Sequence, residues 1–139
     1  MHIALGADHA GYQLQEKVKL WLNEWGHECN DYGTDSTKPV DYPDIAASVV
    51  SGMRERAILI CGTGIGMAMA ANRLGARAAL CWNESTAVTS RSHNDANVLC
   101  LGSRELTEDK AKSIVYAWLG TEFSNDERHI SRIKKLAKA

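Results

Sequence analysis

The chain has 139 residues, of which 45% are hydrophobic and 24% are charged, and its formal net charge at pH 7 is -1. This is the composition of one globular domain with a core of its own, and it excludes a disordered or fibrous chain. Without a basic excess, neither nucleic acid nor an anionic membrane surface is an expected partner. We therefore expect one domain over residues 1–139.

The four cysteines form no CxxC pair and are too few for a disulfide scaffold, a usage that is typical of reduced thiols in a cytoplasmic protein. The opening "MHIALGADHAG" meets polar residues too early for a signal peptide. No apolar run reaches the roughly 20 residues of a membrane helix. The histidines show no metal-binding spacing and look scattered, so we expect no metal and no other cofactor.

Short apolar runs alternate with segments of helical periodicity along the chain. The runs predict strands over 3–7, 27–33, 57–61, 76–82 and 97–102. Helices are expected over 11–26, about 44–53, 66–74, 85–92, 107–120 and 126–139, with Thr107 as a cap and the proline-containing stretch 34–44 as a loop. This alternation predicts an α/β fold, in which helices cover both faces of a parallel sheet.

Ligands of such folds bind at the carboxyl ends of the strands. Asp8 and His9 follow the first strand, and Cys61 and Gly62 follow the third. The segment after the fourth strand is the other place to look. An aspartate suits a sugar hydroxyl and a histidine suits a phosphate, although a helix cap has the same appearance.

Three glycines stand at alternate positions in "CGTGIG", residues 61–66. They allow a sharp turn and bring backbone N–H groups close to a phosphate or a developing oxyanion. A plain strand-to-helix connection is the alternative. A dinucleotide site with Glu84 on the ribose is a lesser one, because Met67 fills the third glycine slot and the motif does not open the fold.

Cys61 lies at a strand end beside the start of a helix, which favours its thiolate. A thiolate is a competent general base toward a substrate C–H. Burial in the core is the alternative for Cys61, and it is the favoured interpretation of the other three cysteines, Cys29, Cys81 and Cys100.

Two polar motifs remain. "SRSHND" supplies His93, Asn94 and Asp95 just before the fifth strand, where a histidine is able to transfer protons near neutral pH. "ERHISR" places Arg128 and Arg132 on one helix face, which suits a phosphate, and Arg104 has a similar character. A solvated loop histidine and a solvated basic face are the alternatives.

Taken together, the motifs resemble the ribose-5-phosphate isomerase B family, which includes galactose-6-phosphate and allose-6-phosphate isomerases. The similarity runs through "DHAG", "GT" followed by "DYPD", "ILICGTGIGMAMAAN", "SRSHNDANVLCLGSR" and "RHISR", in order and over nearly the whole chain. It implies a Rossmann-like three-layer sandwich with five parallel strands. It also implies a homodimer or homotetramer whose active sites are shared between subunits.

The resemblance further implies metal-independent isomerisation of a phosphorylated sugar, with ribose 5-phosphate to ribulose 5-phosphate of the pentose phosphate pathway as the leading reaction. Cys61 takes the C2 proton to give a cis-enediolate, and His93 helps to open the sugar ring. The alternatives are an isomerase of a hexose 6-phosphate of the allose or galactose type, and a non-catalytic nucleotide- or phosphosugar-binding module.

The remaining roles follow from the same resemblance. Thr63 and the turn residues Gly62, Gly64, Ile65 and Gly66 steady the oxyanion. Sugar hydroxyls or the ring oxygen are held by Asp8, His9, Tyr42 and Asn94. The phosphate end is held by Arg104, Arg128, His129 and Arg132. Arg128 is a less favoured phosphate contact than Arg132, because Asp126 and Glu127 stand where relatives often have two glycines.

Overall fold

The structure is a computed structural model that describes residues 1–139. Five strands alternate with helices, and a sixth helix ends the chain. The elements are β1 His2–Ala7, α1 Tyr12–Glu24, β2 Glu28–Asp31, α2 Tyr42–Gly52, β3 Arg56–Cys61, α3 Ile65–Arg73, β4 Ala78–Leu80, α4 Glu84–Ser92, β5 Val98–Gly102, α5 Glu108–Gly120 and α6 Glu127–Leu136.

The five strands form one parallel sheet in the order β2-β1-β3-β5-β4. In the centre, Ala57 of β3 pairs with Val98 of β5, and Cys61 pairs with Gly102. All strands therefore end at the same edge of the sheet, which we call the carboxyl edge, and they begin at the opposite amino edge. This is the Rossmann-like α/β architecture expected from the sequence.

Alternate side chains of each strand enter two separate cores. On one face, Ile58 and Ile60 of β3 pack with apolar residues of α1, α4 and α5. On the other face, Leu59 and Cys61 pack with α2 and α3. Helix α6 belongs to neither layer, since His129 is its one buried residue.

Several helix ends are set by local chemistry. Thr107 caps α5 as expected, since its side chain accepts from the N–H of Lys110. Helix α1 is followed by Gly26 with a φ of +82°, a conformation that suits glycine. Asn83 and Thr86 form a capping box at the start of α4.

Several predicted boundaries were wrong, among them those of β2, which spans Glu28–Asp31 and not 27–33, and the end of α6, which is Leu136 and not residue 139. Helix α2 begins at Tyr42 and not near residue 44, because Pro43 fits the first turn of a helix, where no backbone N–H is needed. Strand β4 spans Ala78–Leu80 and not 76–82. Backbone N–H groups on either side of it bond to side chains instead, from Arg77 to Asn97 Oδ1 (2.8 Å) and from Trp82 to Thr86 Oγ1 (3.2 Å).

None of the helices combines the length and apolar character that crossing a membrane requires.

Candidate active site

Strand register brings the predicted residues of the carboxyl edge together. Ala7 of β1 pairs with Ile60 of β3, so Asp8 follows one strand beside the end of the next. The N–H of Asp8 donates to the carbonyl of Ile60 at 3.2 Å. On the other side of β3, the N–H of Ser103 donates to the carbonyl of Cys61 at 2.9 Å. Cys61 therefore lies between the ends of β1 and β5.

The Cys61 thiol lies beneath the glycine turn. Its side chain is 5% exposed, and Sγ accepts a hydrogen bond from the N–H of Gly64 at 3.2 Å. Gly64 has a φ of +79°, and this left-handed conformation turns the chain directly from the strand into α3. The N–H of Ala68 donates to the carbonyl of Gly64 at 3.1 Å, which is an early hydrogen bond of α3. The N–H groups of Gly66 and Met67 therefore belong to the first turn of the helix, where backbone N–H groups have no acceptor within the helix.

Two hydroxyl-bearing side chains border this turn. Thr63 is exposed, and its Oγ1 accepts from the N–H of Ile65 at 3.2 Å. The ring of Tyr42, from the start of α2, lies over Gly66 so closely that a Cβ on that glycine would stand 2.7 Å from ring atoms. Gly66 therefore lets the tyrosine reach the turn.

The two residues after β1 are both tied to the backbone. Asp8 is 7% exposed, and its Oδ1 accepts from the N–H groups of Ala10 (3.0 Å) and Gly11 (3.1 Å). These bonds close the turn before α1, whose N-cap residue is Gly11, so Asp8 is not the helix cap of the alternative interpretation. His9 is half-buried, and its Nδ1 accepts from the N–H of Val40 at 3.2 Å. That bond anchors the loop before α2 and leaves Nε2 to carry the proton.

Arg104 lies at the carboxyl edge as well. Its N–H donates to the carbonyl of Gly62 at 2.9 Å, and its Nη1 would stand 2.5 Å from a Cβ built on Gly62. Ser103, which the sequence prediction missed, links the end of β5 to the turn before α1, because its hydroxyl donates to the carbonyl of Ala10 at 2.8 Å. The run "GSRE" after the fifth strand was the available signal for both residues.

The remaining predicted residues lie at the amino edge. Helix α4 starts after the carboxyl end of β4 and runs back, so that His93 and Asn94 stand before the start of β5. From Ala57 to Cys61 the strand advances roughly 13 Å, at about 3.3 Å per residue. Within one chain His93 is thus separated from Cys61 by the length of the sheet.

His93 stacks on His129 of α6, with ring centroids 4.4 Å apart and planes 18° apart. The expectation of scattered histidines was wrong for this pair, because α6 folds back over the end of α4, a long-range contact that no sequence spacing reveals. The pKa of His129 is lowered from its ordinary value by burial, and also by the positive charges of His93 and Arg128.

The arginines of α6 are exposed at this same edge. Arg128 pairs with Asp126 at 3.4 Å, and Asp126 caps the helix by accepting from the Arg128 N–H at 3.1 Å. The four residues assigned to the phosphate end are therefore divided in one chain. Arg104 lies with Cys61, whereas Arg128, His129 and Arg132 lie with His93.

Of the other three cysteines, two are buried in the core as interpreted and one is not. Burial raises the pKa of the Cys100 thiol, which lies in the middle of β5, and that of Cys81. Cys81 is buried one residue beyond β4 and not inside it, whereas Cys29 in the edge strand β2 is only half-buried. No group of three or more His, Cys, Asp or Glu side chains stands ready to hold a metal ion.

At the carboxyl edge of the parallel sheet, a thiol thus lies beneath the first turn of a helix, flanked by an aspartate, a histidine and hydroxyl groups. This arrangement is typical of an enzyme with a small polar substrate. The sequence profile of the ribose/galactose isomerase family matches residues 3–136. The chain belongs to this family, and it is accordingly a sugar-phosphate aldose–ketose isomerase.

Known relatives agree along nearly their full length. Ribose-5-phosphate isomerase B of Escherichia coli is 42% identical, over 96% of this chain and 93% of the relative. D-erythrulose-4-phosphate isomerase of Pectobacterium atrosepticum is 40% identical, over 88% and 85%. The solved structure of ribose-5-phosphate isomerase B from Clostridium thermocellum superposes with a TM-score of 0.96 at 44% identity, covering 99% of this chain and 96% of that one.

Proposed function

We propose that the enzyme interconverts ribose 5-phosphate and ribulose 5-phosphate without a metal, with Cys61 as the base. The observation that carries the proposal is the position of the Cys61 Sγ, 3.2 Å from the N–H of Gly64 at the end of β3. Partial positive charge at a helix start stabilises a thiolate there. A relative that is 42% identical bears the name of this activity.

In the proposed step the Cys61 thiolate takes the proton from C2 of the open-chain aldose. The C2–H electron pair forms the C1–C2 double bond, and the carbonyl pair moves onto O1, which gives a cis-enediolate. The C1–C2 double-bond pair then takes the proton back from the Cys61 thiol at C1. The O2 hydroxyl gives up its proton and O1 gains one, so that O2 becomes the ketone oxygen and O1 a hydroxyl. Thr63 and the amides of the glycine turn face the developing charge, and one such donor contributes about 3 kcal/mol.

No second base competes with the thiol at this turn. In one branch of the family a glutamate follows the third glycine, but this chain has Met67 there. Met67 is fully buried among the apolar residues of the α2–α3 face, and a thioether takes no proton. This supports Cys61 as the residue that accepts the proton.

We further propose that two copies of the chain share each active site, in a homodimer or homotetramer. The His93 that would open the sugar ring is separated from Cys61 of its own chain by roughly 13 Å of strand. A second copy that presents its amino edge to the carboxyl edge of the first would supply His93, Asn94 and the arginines of α6. Apolar side chains near the glycine turn stay exposed in one chain, among them Ile65 (50%), Met69 (65%) and Trp82 (58%), which supports their burial by a partner.

A base of this kind also needs a reduced thiol. All four cysteines are free, which supports the proposed cytoplasmic location. The proposed role in carbohydrate metabolism is supported by the match to the ribose/galactose isomerase family.

The identity of the sugar is the most specific part of the proposal. The relatives include one named for a four-carbon sugar phosphate, so the family's site accepts different chain lengths. A hexose 6-phosphate of the allose or galactose type is the second candidate, with the galactose type requiring a second, different chain.

The test is proton exchange in deuterated water, followed by NMR with ribose 5-phosphate, erythrose 4-phosphate, allose 6-phosphate and galactose 6-phosphate. We expect the highest kcat/KM with ribose 5-phosphate and deuterium at C2 of the recovered aldose. Cys61→Ala should lower turnover by about 10²–10⁴-fold, the usual contribution of a general base, or more. The matched control is Cys100→Ala, which removes a buried thiol in β5 and leaves the turn intact. Full turnover by Cys61→Ala would refute the thiol mechanism, and a preference for another sugar would refute the substrate.

A further inference from the structure

Arg91 is a charged residue near the end of α4 that no part of the proposed reaction uses. Its side chain is 5% exposed, and its guanidinium makes three hydrogen bonds. Nη1 donates to Asp95 Oδ1 at 2.9 Å and to the carbonyl of Ala96 at 2.7 Å, and Nε donates to the carbonyl of Thr121 at 3.1 Å. One buried side chain therefore joins two parts of the chain that are far apart in sequence.

The first part is the turn that presents His93 and Asn94. Asp95, the next residue, has a φ of +47°, which is unfavourable for a residue with a side chain. The surroundings hold it there, because Arg77 donates to the Asp95 carbonyl at 2.9 Å and its Nη2 lies 3.3 Å from Oδ2. The carboxylate of the "HND" motif is thus directed to two arginines.

The second part is the connection from α5 to α6. Thr121 follows the end of α5, and the N–H of Ser124 donates to the carbonyl of Ser92, next to His93, at 3.1 Å. Asp126 then caps α6, whose first turn places His129 on the His93 ring. The bond from Arg91 to Thr121 therefore sets where α6 starts relative to His93.

We propose that Arg91 is a positioning residue for the isomerisation: its guanidinium fixes the His93 turn and the start of α6 as one unit. The inference rests on the proposed function in assigning ring opening to His93. An arginine is required because its planar fork presents several donors in fixed directions, whereas the single ammonium group of a lysine does not reproduce this geometry.

The chain offers a matched control in Arg56. The guanidiniums of Arg56 and Arg91 both lie over the ring of Trp118, at 5.4 and 5.9 Å from its centroid. Arg56 also donates to backbone carbonyls at the end of α5, those of Trp118 (3.3 Å) and Leu119 (3.2 Å). It makes no hydrogen bond to residues 93–96, so Arg56→Lys perturbs the same region without releasing the His93 turn.

The kinetic measurement compares the two directions of the reaction. Ribose 5-phosphate is mainly cyclic, whereas ribulose 5-phosphate has no ring because its C5 oxygen carries the phosphate. Since misplacing a catalytic group by about 1 Å costs up to roughly 10²-fold, Arg91→Lys should lower kcat from ribose 5-phosphate by about 10- to 100-fold and kcat from ribulose 5-phosphate by less than about twofold. His93→Asn should show the same asymmetry, and Arg56→Lys should leave the ratio of the two directions unchanged.

A second measurement needs no activity. In NMR spectra of the protein with isotope-labelled histidine, the stacked rings of His93 and His129 should have chemical shifts that differ from those of free histidine. Arg91→Lys should move these chemical shifts toward the values of free histidine. Arg56→Lys should leave these shifts in place, and His9, at the opposite edge, serves as the internal reference.

The two measurements separate the outcomes. Unchanged ring shifts in Arg91→Lys would overturn the positioning role whatever the kinetics. Equal losses in both directions, accompanied by the same melting-temperature decrease as in Arg56→Lys, would show a merely structural role. Altered ring shifts together with a symmetric His93→Asn defect would uphold the positioning role and remove ring opening from His93, which is a failure of the proposed function alone.

Discussion

Cys61 and Cys100 lie on the same face of the sheet, in the core shared with α2 and α3, yet their surroundings differ. Cys100 pairs with Leu59 in the middle of the sheet, and burial keeps its pKa raised and its thiol protonated. Cys61 pairs with Gly102 at the strand end, where the next residues turn into a helix. Cys61 therefore lies only two residues further along the strand direction than Cys100. This difference in position, and not the residue type, distinguishes the candidate base from the cysteine that packs in the core.

Sequence alone distinguished these residues, because a strand end followed by glycines is visible as a pattern. It did not reveal the His93–His129 stack or the role of Arg91, since both depend on α6 and its connection folding back over α4. Contacts of that kind link residues more than 25 positions apart, and no periodicity encodes them. An aspartate before a helix is a local signal for a cap, but Asp8 closes the preceding turn instead, and α1 starts only after Gly11.

Because of His129, the protein should become less stable as the pH is lowered. The pKa of this histidine is lowered from 6.5 by burial and by the charges of His93, Arg128 and Arg132, against the opposing effect of Asp126. The folded state therefore binds the proton less tightly than the unfolded chain, so stability is lost as pH falls through about 6.5 and is unaffected well above it. In melting curves from pH 8 to 5, His129→Phe, which keeps a stacked ring without a titratable group, should show a smaller decrease in Tm on acidification than wild type.

His27 provides a comparison for this measurement. Its pKa is also lowered, by burial and by the charges of the N-terminus and Arg56, so some pH dependence should persist in His129→Phe. An identical Tm profile for wild type and His129→Phe would contradict the prediction.

At the scale of elements, the glycine turn between β3 and α3 is the most constrained connection of the site. A Cβ on Gly64 would stand 2.5 Å from Leu80 Cδ1 and 3.0 Å from the carbonyl carbon of Leu101. On the far side of the turn, a Cβ on Gly102 would meet the Thr63 carbonyl oxygen at 2.5 Å. The turn therefore fits between β4 and β5 only with glycine at both positions.

Gly64→Ala should destabilise the protein more than Gly26→Ala. Both glycines have nearly the same φ, +79° and +82°, so both substitutions carry the left-handed penalty of about 1–2 kcal/mol. Only Gly64 has neighbours, since nothing lies within 4 Å of a Cβ on Gly26. Urea unfolding should give Gly64→Ala the larger loss in the free energy of unfolding, together with lower activity.

The Gly26 variant serves as the internal reference, because it isolates the conformational cost. Equal free energies of unfolding for the two variants would mean that the contacts with Leu80 and Leu101 relax without cost, contrary to the packing described above.

Element types and order were predictable because the apolar runs and helical faces are strongly periodic. The errors came at boundaries where side chains compete with the sheet for backbone N–H groups, as at Arg77 and Trp82, and where Pro43 was taken for a loop residue. Hydrophobic periodicity reveals neither these side-chain hydrogen bonds nor the place of a proline in the first turn of a helix.

At the scale of the whole molecule, the two halves of the candidate site lie at opposite edges of one sheet. In a parallel sheet all strands end at the same edge, so residues that follow strands lie at one edge and residues that precede strands lie at the other. The sequence predicted the residues of both halves through the resemblance to a family. Their separation within one chain follows from the path of α4, which returns to the amino edge before β5.

Mixing two variants that are each impaired toward ribose 5-phosphate should restore activity if copies of the chain share sites. Cys61→Ala and His93→Asn, unfolded together and refolded, should form hybrid dimers in which one of the two sites has both native residues. With random pairing of a two-fold dimer, about a quarter of all sites are intact, so about a quarter of wild-type activity should return.

Each variant refolded alone is the control and should keep only its own low turnover of ribose 5-phosphate, below the quarter expected of the mixture. A mixture that stays as inactive as its components, with hybrid dimers verified by native mass spectrometry, would place a complete site inside each chain.

Helix α6 lies outside both packed layers and buries only His129. Substitutions on its other faces leave the two cores untouched, so the requirements of folding and those of the proposed phosphate contacts act on different residues. This arrangement allows the distance between the thiol and the proposed phosphate-binding side chains to differ among relatives without repacking of the sheet. Relatives named for four-carbon and five-carbon sugar phosphates, each about 40% identical to this chain, are consistent with divergence of that kind.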